Sequence, residues 1–440
     1  MSTLDAHLAE LGRRWSAALA GARLDAALVA AGAPRNYFLD DQAAPFRTNP
    51  HFAQWLPGFD CPQSLLLIEP MQKPRLFFYR PDDYWHAPPE IPDVAAAFVV
   101  ETFTSLEALT DAAARAIERR NRVAFVGELP AESSNLPVAE HNPALLLNPL
   151  HYARARKTAF ELECMRRATA IAVAGHRAAE AEFRGGGSEL DVHLAYLAAS
   201  RQTEGDLPYH NIVGQNAHAA VLHYQHCDRV APQPQLSLLI DAGGTHRGYA
   251  SDITRTYAKS ADHPFAQLIA DLDARQRALI DDIRPGLSYV DLHERMHRDI
   301  AQLLVDHGLV TGSAEAAFAE RVTDAFFPHG LGHLLGLQVH DVGGHAASAE
   351  GGLRAPPERY PALRLTRRIE ADQVFTVEPG IYFIPSLLAT LARSRAGKAV
   401  NWSAVDALRS CGGIRIEDNV HVRADGVENL TRDAFRAAAR

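Results

Sequence analysis

Only four cysteines occur among the 440 residues (Cys61, Cys164, Cys227 and Cys411), and no two form a Cys-x-x-Cys pair. That spacing argues against a zinc ribbon or a thioredoxin-type site, and a disulfide framework is equally unexpected; a reducing compartment fits. Lysine is as scarce: four stand against 40 arginines, which reads as a compositional bias. Basic charge is short overall, with 44 Lys and Arg facing 53 Asp and Glu for a net −9. The chain therefore lacks the basic excess or stripe of a nucleic-acid binder. No run approaches the roughly 18 apolar residues that a membrane helix needs. The opening MSTLDAHLAELGRRW has no apolar stretch of signal-peptide type. These absences predict a cytoplasmic protein that binds neither nucleic acid nor membrane. A hydrophobic content of 47% against 22% charged residues excludes a largely disordered chain. The length predicts two or three domains.

Histidine is what the sequence has in excess. There are 21, eight of them within residues 210–226 and 329–345. Together with the acid excess, this clustering points to a metal site.

Residues 5–32 read as a helix followed by a strand at 26–31. Paired strands are expected at 64–69 and 75–80, across a Pro-Met-Gln-Lys-Pro turn, with further strands at 95–100 and 123–126. A helix at 105–120 lies between the last two, so the first domain is α/β. A linker is expected around 147–157. It precedes a helix opened by the capping box Thr158-x-x-Glu161 and stopped by Gly185-Gly186-Gly187. This gives domains of 1–155 and 156–440. The second contains helices at 188–203, 264–283 and 291–307, and strands at 219–224, 236–242, 248–257, 373–384 and 413–423.

Four segments of the second domain carry chemistry. In LSLLIDAGGTHRGYASDITRTY (236–257), a buried strand ends in Asp241, glycines supply a hairpin, and Asp252 follows on the return strand, so the two carboxylates can face each other. In FFPHGLGHLLGLQVHDVGG (326–344), His329 and His333 have the i, i+4 spacing of a helical zinc pair. Gly330 stands where the zinc motif needs Glu, however, and Gly330 and Gly332 disfavour a helix. The segment reads as a glycine-rich loop presenting His333 and His340. Glu378 interrupts an apolar strand, where an acid is costly unless paired or ligating. In GGIRIEDNVHV (412–422), Arg415 and Glu417 alternate with Ile414 and Ile416; taken alone, Glu417 reads as a salt-bridge partner of Arg415. The set Asp241, Asp252, His333, Glu378 and Glu417 is too negative for one buried ion. It suits two divalent ions bridged by carboxylates, and its oxygen donors favour Mn²⁺ or a similar ion.

In order and local context these residues resemble the "pita-bread" metallopeptidases of family M24, in particular the bacterial Xaa-Pro dipeptidase (prolidase) branch that includes organophosphorus acid anhydrolases. NYFLDDQAAPFRTNPHFAQWLP (36–57), FFYRPDDYWH (77–86), YHNIVGQNAHAAVLHY (209–224) and LRLTRR (363–368) extend the resemblance over nearly the whole chain. It implies a small N-terminal α/β domain and a catalytic domain built on a curved antiparallel sheet flanked by helices. It implies that Asp241 ligates the first metal, Asp252 and Glu417 bridge, and His333 and Glu378 ligate the second. The metals would be Mn²⁺, with Co²⁺ or Zn²⁺ as alternatives, and a hydroxide between them the nucleophile. Glu378 would pass the proton to the leaving nitrogen, His223 and His340 would flank the substrate, and Arg415 would support the site. Arg364 would clamp the proline carboxylate. Tyr209, Leu222, His329 and Val339 would line the pocket. Asp41 and Trp85 would reach the neighbouring subunit's site in a homodimer. Leu334 stands where the family often has Pro, and Asp372-Gln373 where it usually has a Gly-Met-like turn; neither is a ligand position. Alternatives are phosphotriester hydrolysis, Xaa-Pro aminopeptidase action on longer peptides, and a metal-free binding module of the same fold.

Overall fold

The computed structural model describes residues 2–90, 93–128 and 136–439. The chain divides into two compact units: residues 1–154 with 158–161 and 346–352, and residues 155–157 with 162–345 and 353–440.

In the first unit, helix α1 (Thr3–Ala22) starts at a capping box in which the Ser2 hydroxyl and the Asp5 carboxylate satisfy each other's backbone N–H groups. It ends where Arg23 turns left-handed. Strand β1 (Ala26–Ala30) follows, then α2 (Pro50–Ala53), β2 (Leu65–Ile68), β3 (Arg75–Tyr79), β4 (Val99–Phe103), α3 (Leu106–Ile117), β5 (Val123–Val126), β6 (Glu140–His141) and α4 (Ala144–Arg154). The six strands form one mixed sheet in the order β4-β3-β2-β1-β5-β6. Ala27, Val29, Leu66, Ile68, Leu76 and Phe78 face Leu11 and Trp15 of α1 and Leu146 and Leu150 of α4. Leu28, Leu67, Phe77 and Phe125 face the opposite way, under Leu109, Ala113 and Ile117 of α3. Apolar cover on both faces explains why these strands read as unbroken hydrophobic runs rather than alternating ones.

Two expectations fail here. The run at 95–100 is a strand only from Val99; residues 93–97 form a 3₁₀ turn. The strand is at the sheet edge, where Glu101 and Thr102 are tolerated, so its polar half escaped a search for apolar runs. The linker expected at 147–157 is helical through Arg154, with Pro149 accommodated inside α4.

The second unit holds most of α5 (Ala159–Gly185), whose Thr158–Glu161 capping box forms as expected and which gives way to Gly186 at φ +102. It also holds α6 (Glu189–Ser200), α7 (Pro264–Asp281) and α8 (Tyr289–Asp306). Strands β7 (Ile212–Gln215), β8 (Ser237–Asp241) and β11 (Thr254–Ala258) form an antiparallel sheet in the order β11-β8-β7. The hairpin β9 (Thr245–His246) and β10 (Tyr249–Ala250) interrupts it. The hairpin β12 (Ala346–Ser348) and β13 (Gly351–Leu353) comes later in the chain. Next come β14 (Val374–Val377), β15 (Gly380–Tyr382), β16 (Gly413–Arg415), β17 (Asp418–Arg423) and β18 (Gly426–Asn429), paired as β14-β17-β18 and β15-β16. The strand expected at 219–224 is not one: β7 ends at Gln215, and Asn216, at φ +54, turns the chain into a 3₁₀ helix, Asn216–Ala220. The Asn216 side chain then accepts from Leu236 N at 2.8 Å, a local bond that an apolar-alternation search cannot see.

Lys157 and Asp341 form an ion pair at 2.8 Å with side chains 1% and 0% exposed. Asp341 N also donates to Leu334 O, which ties the pair to the histidine loop. Breaking a buried pair costs roughly 3–5 kcal/mol. Lys157→Ala is therefore expected to lower unfolding stability by about that amount in urea titration; a change below about 1 kcal/mol would deny the pair a structural role.

Candidate active site

The residues of β8 preceding Asp241 are buried, so the strand delivers its final carboxylate at the edge of the core. The β9–β10 turn uses Arg247 at φ +51 and Gly248 at φ +82, the left-handed pair that a type I′ hairpin requires. The returning chain pairs Thr254 with Asp241 and sets Asp252 nearby. The Tyr209 hydroxyl lies within hydrogen-bonding distance of both carboxylates, 2.7 Å from Asp241 Oδ1 and 2.5 Å from Asp252 Oδ1.

Residues 331–335 are not helical. They run antiparallel to β14: Glu378 N donates to Leu331 O, Thr376 N to His333 O and Leu335 N to Val374 O. A side chain at Gly332 would strike Thr376 O and the Tyr289 hydroxyl, so only glycine permits this approach. His333 Nδ1 donates to Leu334 O at 3.0 Å, which leaves Nε2 as the free donor atom. Nε2 lies 3.4 Å from Asp252 Oδ2 and 3.6 Å from Glu378 Oε1. Glu417 N donates to Thr254 O, and the Thr254 hydroxyl donates to Glu417 Oε2 at 2.7 Å. Asp252, His333 and Glu417 each offer a donor atom within 4.8 Å of the others.

Arg415 does not pair with Glu417. Its Nη2 meets Asp241 Oδ2 at 2.6 Å, its Nη1 donates to the Tyr382 hydroxyl at 2.9 Å, and its Nε donates to Thr254 at 3.1 Å. The bend between β16 and β17 separates Arg415 from its strand neighbour. Tyr382 in turn meets His329 Nε2 at 2.9 Å, while His329 Nδ1 donates to Gly330 O. Burial holds His329 down at about 3, so it is a neutral acceptor for the tyrosine.

The acids crowd one another. Burial and neighbouring carboxylates push Glu417 well above the usual carboxylate range, and burial takes Glu378 to about 7. Burial raises Asp241 despite Arg415 beside it. Burial opposes charge on Asp252 most strongly, but the hydrogen bond and charge of His333, the Tyr209 hydroxyl and His340 together lower it; burial likewise opposes charge on His333, and Asp252 and Glu378 together raise it. Four carboxylates in a poorly solvated pocket, balanced by Arg415 and one imidazole, form a donor set that suits divalent cations.

The pocket residues expected from sequence divide into groups. Tyr209 faces the carboxylates directly, and Leu222 packs beside Tyr382. The His340 ring stands edge-on to His333, with centroids 4.4 Å apart. Burial, His333 and the Arg364 charge hold it at about 4, and His223 also acts on it. Val339 is half-buried, and Arg364 is exposed without an ion pair among the described residues. Gly344 lets the backbone at Arg364 approach closely, and Thr366 N donates to Gly344 O. Asp41 and Trp85 lie exposed in the first unit. Sequence reasoning missed Thr254, Tyr382 and Asn419. The Asn419 side chain accepts from Asp252 N and donates to Asp252 O. Their signal was faint: polar side chains on otherwise buried strands, adjacent in chain or register to a candidate ligand.

Residues 163–424 match metallopeptidase family M24, and residues 2–152 match the Xaa-Pro dipeptidase N-terminal domain. An Xaa-Pro dipeptidase of Pseudoalteromonas atlantica is 47% identical over 436 residues, covering 97% of each chain. One of Edwardsiella ictaluri is 46% identical over 434 residues, covering 98% of each. Among solved structures, proline aminopeptidase P II from Yersinia pestis superposes with a TM-score of 0.75 over 100% of both chains at 26% identity. With the family match spanning residues 163–424 and relatives aligned over 97% of the chain, the chain belongs to metallopeptidase family M24.

Proposed function

We propose that this enzyme hydrolyses Xaa-Pro dipeptides at a dinuclear metal centre. The observation that carries the reading is the convergence of Asp241, Asp252, His333, Glu378 and Glu417 on one buried pocket, beside an exposed and unpaired Arg364. The names of full-length relatives support the substrate class.

Asp252 and Glu417 would lie between two ions, Asp241 on one side and His333 with Glu378 on the other. When bound, such ions polarise a carbonyl and make a nucleophilic water available at neutral pH. Oxygen-rich donors favour Mn²⁺. The protein's own groups do the rest. Arg415 and Tyr209 orient Asp241, and the Leu334 carbonyl fixes the His333 tautomer. His340 and His223 flank the substrate, and Glu378 carries a proton to the leaving nitrogen. An Xaa-Pro bond has no N–H for a peptidase to read, so recognition falls to the proline carboxylate and the charge of Arg364.

Arg364→Ala is expected to raise KM for Xaa-Pro dipeptides roughly 10–100-fold, the loss of a hydrogen bond to a charged group, with kcat little changed. An unchanged KM, or Xaa-Pro-Yaa tripeptides cut as fast as dipeptides by the wild type, would exclude the clamp. Negligible Xaa-Pro cleavage after Mn²⁺ loading would defeat the dipeptidase reading. Faster turnover of an organofluorophosphate than of dipeptides would favour phosphotriester hydrolysis, which we place as a side activity. The four free cysteines support a cytoplasmic location. Phe38 (93% exposed), Leu39, Tyr84 and Trp85 form exposed apolar surface in the first unit, which supports a homodimer; sedimentation as a monomer would refute it.

A further inference from the structure

Glu189 is the first residue of α6, behind the Ser188 cap, and it is 1% exposed. A carboxylate there is favoured by the unpaired N–H groups of the helix start. Its partners, however, lie elsewhere in the chain. Oε1 accepts from Gln215 N at 2.8 Å and from His218 Nδ1 at 2.8 Å, and Oε2 accepts from Asp228 N at 2.9 Å. Burial and the charge of this carboxylate push the Tyr224 hydroxyl up. Beside it, Leu190 N donates to Asp228 O. One buried side chain thus ties residue 215 to residue 228, the two ends of a loop. The loop packs back on the same anchor: Tyr224 stacks on His218 with ring centroids 4.4 Å apart. Leu222 packs with Ile212, Ala219, Tyr224 and Tyr382. His223, next to Leu222, is close enough for its charge to be felt at His340 and His329.

Glu189, His218 and Asp228 could also be read as a metal site, since their donor atoms lie within 4.8 Å of one another. The hydrogen bonds argue otherwise. Both Glu189 oxygens are already engaged by backbone N–H groups, which an ion would leave buried and unsatisfied. The geometry points to a different role: Glu189 is a positioning residue that closes the 216–227 loop and thereby sets Leu222 and His223 against the catalytic pocket. The closure itself is independent of the reaction; its kinetic consequence rests on the dipeptidase reading.

Glu189→Gln keeps the size but turns an –NH₂ toward an N–H donor, releasing one end of the loop. Amide hydrogen exchange across 216–228 is expected to quicken about 10-fold or more, with β8 and α7 unchanged. KM for Ala-Pro is expected to rise about 10-fold, with metal content and the thermal midpoint near wild type. Because Glu189 acts through His223 as well as Leu222, the kinetic loss in Glu189→Gln/His223→Ala should be smaller than the product of the two single losses. Should Glu189→Gln fold poorly, His218→Ala removes one of the bonds and should move exchange and KM in the same direction. Unchanged loop exchange overturns the closure. Altered exchange with unaltered kinetics, or additive kinetic losses in the double variant, overturns the positioning role. If the wild-type enzyme cleaves no Xaa-Pro dipeptide, the dipeptidase reading fails, and the exchange measurement still decides the closure by itself.

Discussion

Asp252→Asn is expected to lose bound metal and more than ~100-fold of turnover. Even outer partners of metal ligands typically cost roughly 10–100-fold in affinity or activity, and on the proposed reading Asp252 stands inside that circle. Its carboxylate meets both Tyr209 and His333, and its backbone is held from both sides by Asn419. Asparagine would fit the same space but offers one oxygen and no charge, with an amide turned toward groups that need an acceptor. The change also removes one negative charge from a pocket where burial and repulsion already raise Glu417. The lost pairing with His333 and Tyr209, which favours the charged carboxylate, opposes that relief, so the metal-free protein should unfold near the wild-type temperature. Elemental analysis after dialysis, kcat/KM and thermal unfolding of the metal-free form together check this. Loss of metal without loss of stability is the expected pattern, and Glu417→Gln should repeat it. Normal metal content and turnover in either variant would refute the bridging roles.

The first of these carboxylates was legible in the sequence for a simple reason. Asp241 ends an apolar strand, and Glu378 interrupts another, where an uncompensated acid is costly. The glycines around His333 likewise announced a loop, and the contact of Gly332 with Thr376 shows what they are for. What stayed hidden depends on pairing across long sequence distances. No local pattern says that Arg415 turns to Asp241 rather than Glu417, because the β16–β17 bend decides it. Nor could alternation reveal that Asn216 ends a strand through one left-handed residue and a side-chain bond to Leu236. Tyr382, which no local pattern singles out, becomes the link between Arg415 and His329 only once β15 and β16 pair. Metal donors advertise themselves by cost, whereas the groups that orient them are defined by register.

Glu378→Gln separates two roles that the other acids do not combine. Proton transfer by a positioned side chain contributes typically ~10²–10⁴-fold, so kcat should fall by that range. KM and metal content should change less than in Asp252→Asn, since Glu378 is proposed to serve one ion and needs the single oxygen that the amide keeps, where Asp252 is proposed to serve both. The local geometry supports the proposed proton-transfer role of this carboxylate. Asp241, Asp252 and Glu417 are each held by a hydrogen bond of 2.7 Å or shorter. Among the described residues, the Glu378 carboxylate has only Thr376 at 3.4 Å, His333 at 3.6 Å and His329 at 3.6 Å. Its side chain keeps 16% exposure where Asp252 keeps 7%. It sits at the end of β14, where Pro379 lacks an N–H to continue the ladder. A loosely bonded acid with burial favouring its protonated form can accept a proton and release it to the prolyl nitrogen, a poor leaving group until protonated. If Glu378→Gln leaves kcat unchanged, the proton reaches that nitrogen by another route. If it strips the metal as completely as Asp252→Asn, ligation is its main task.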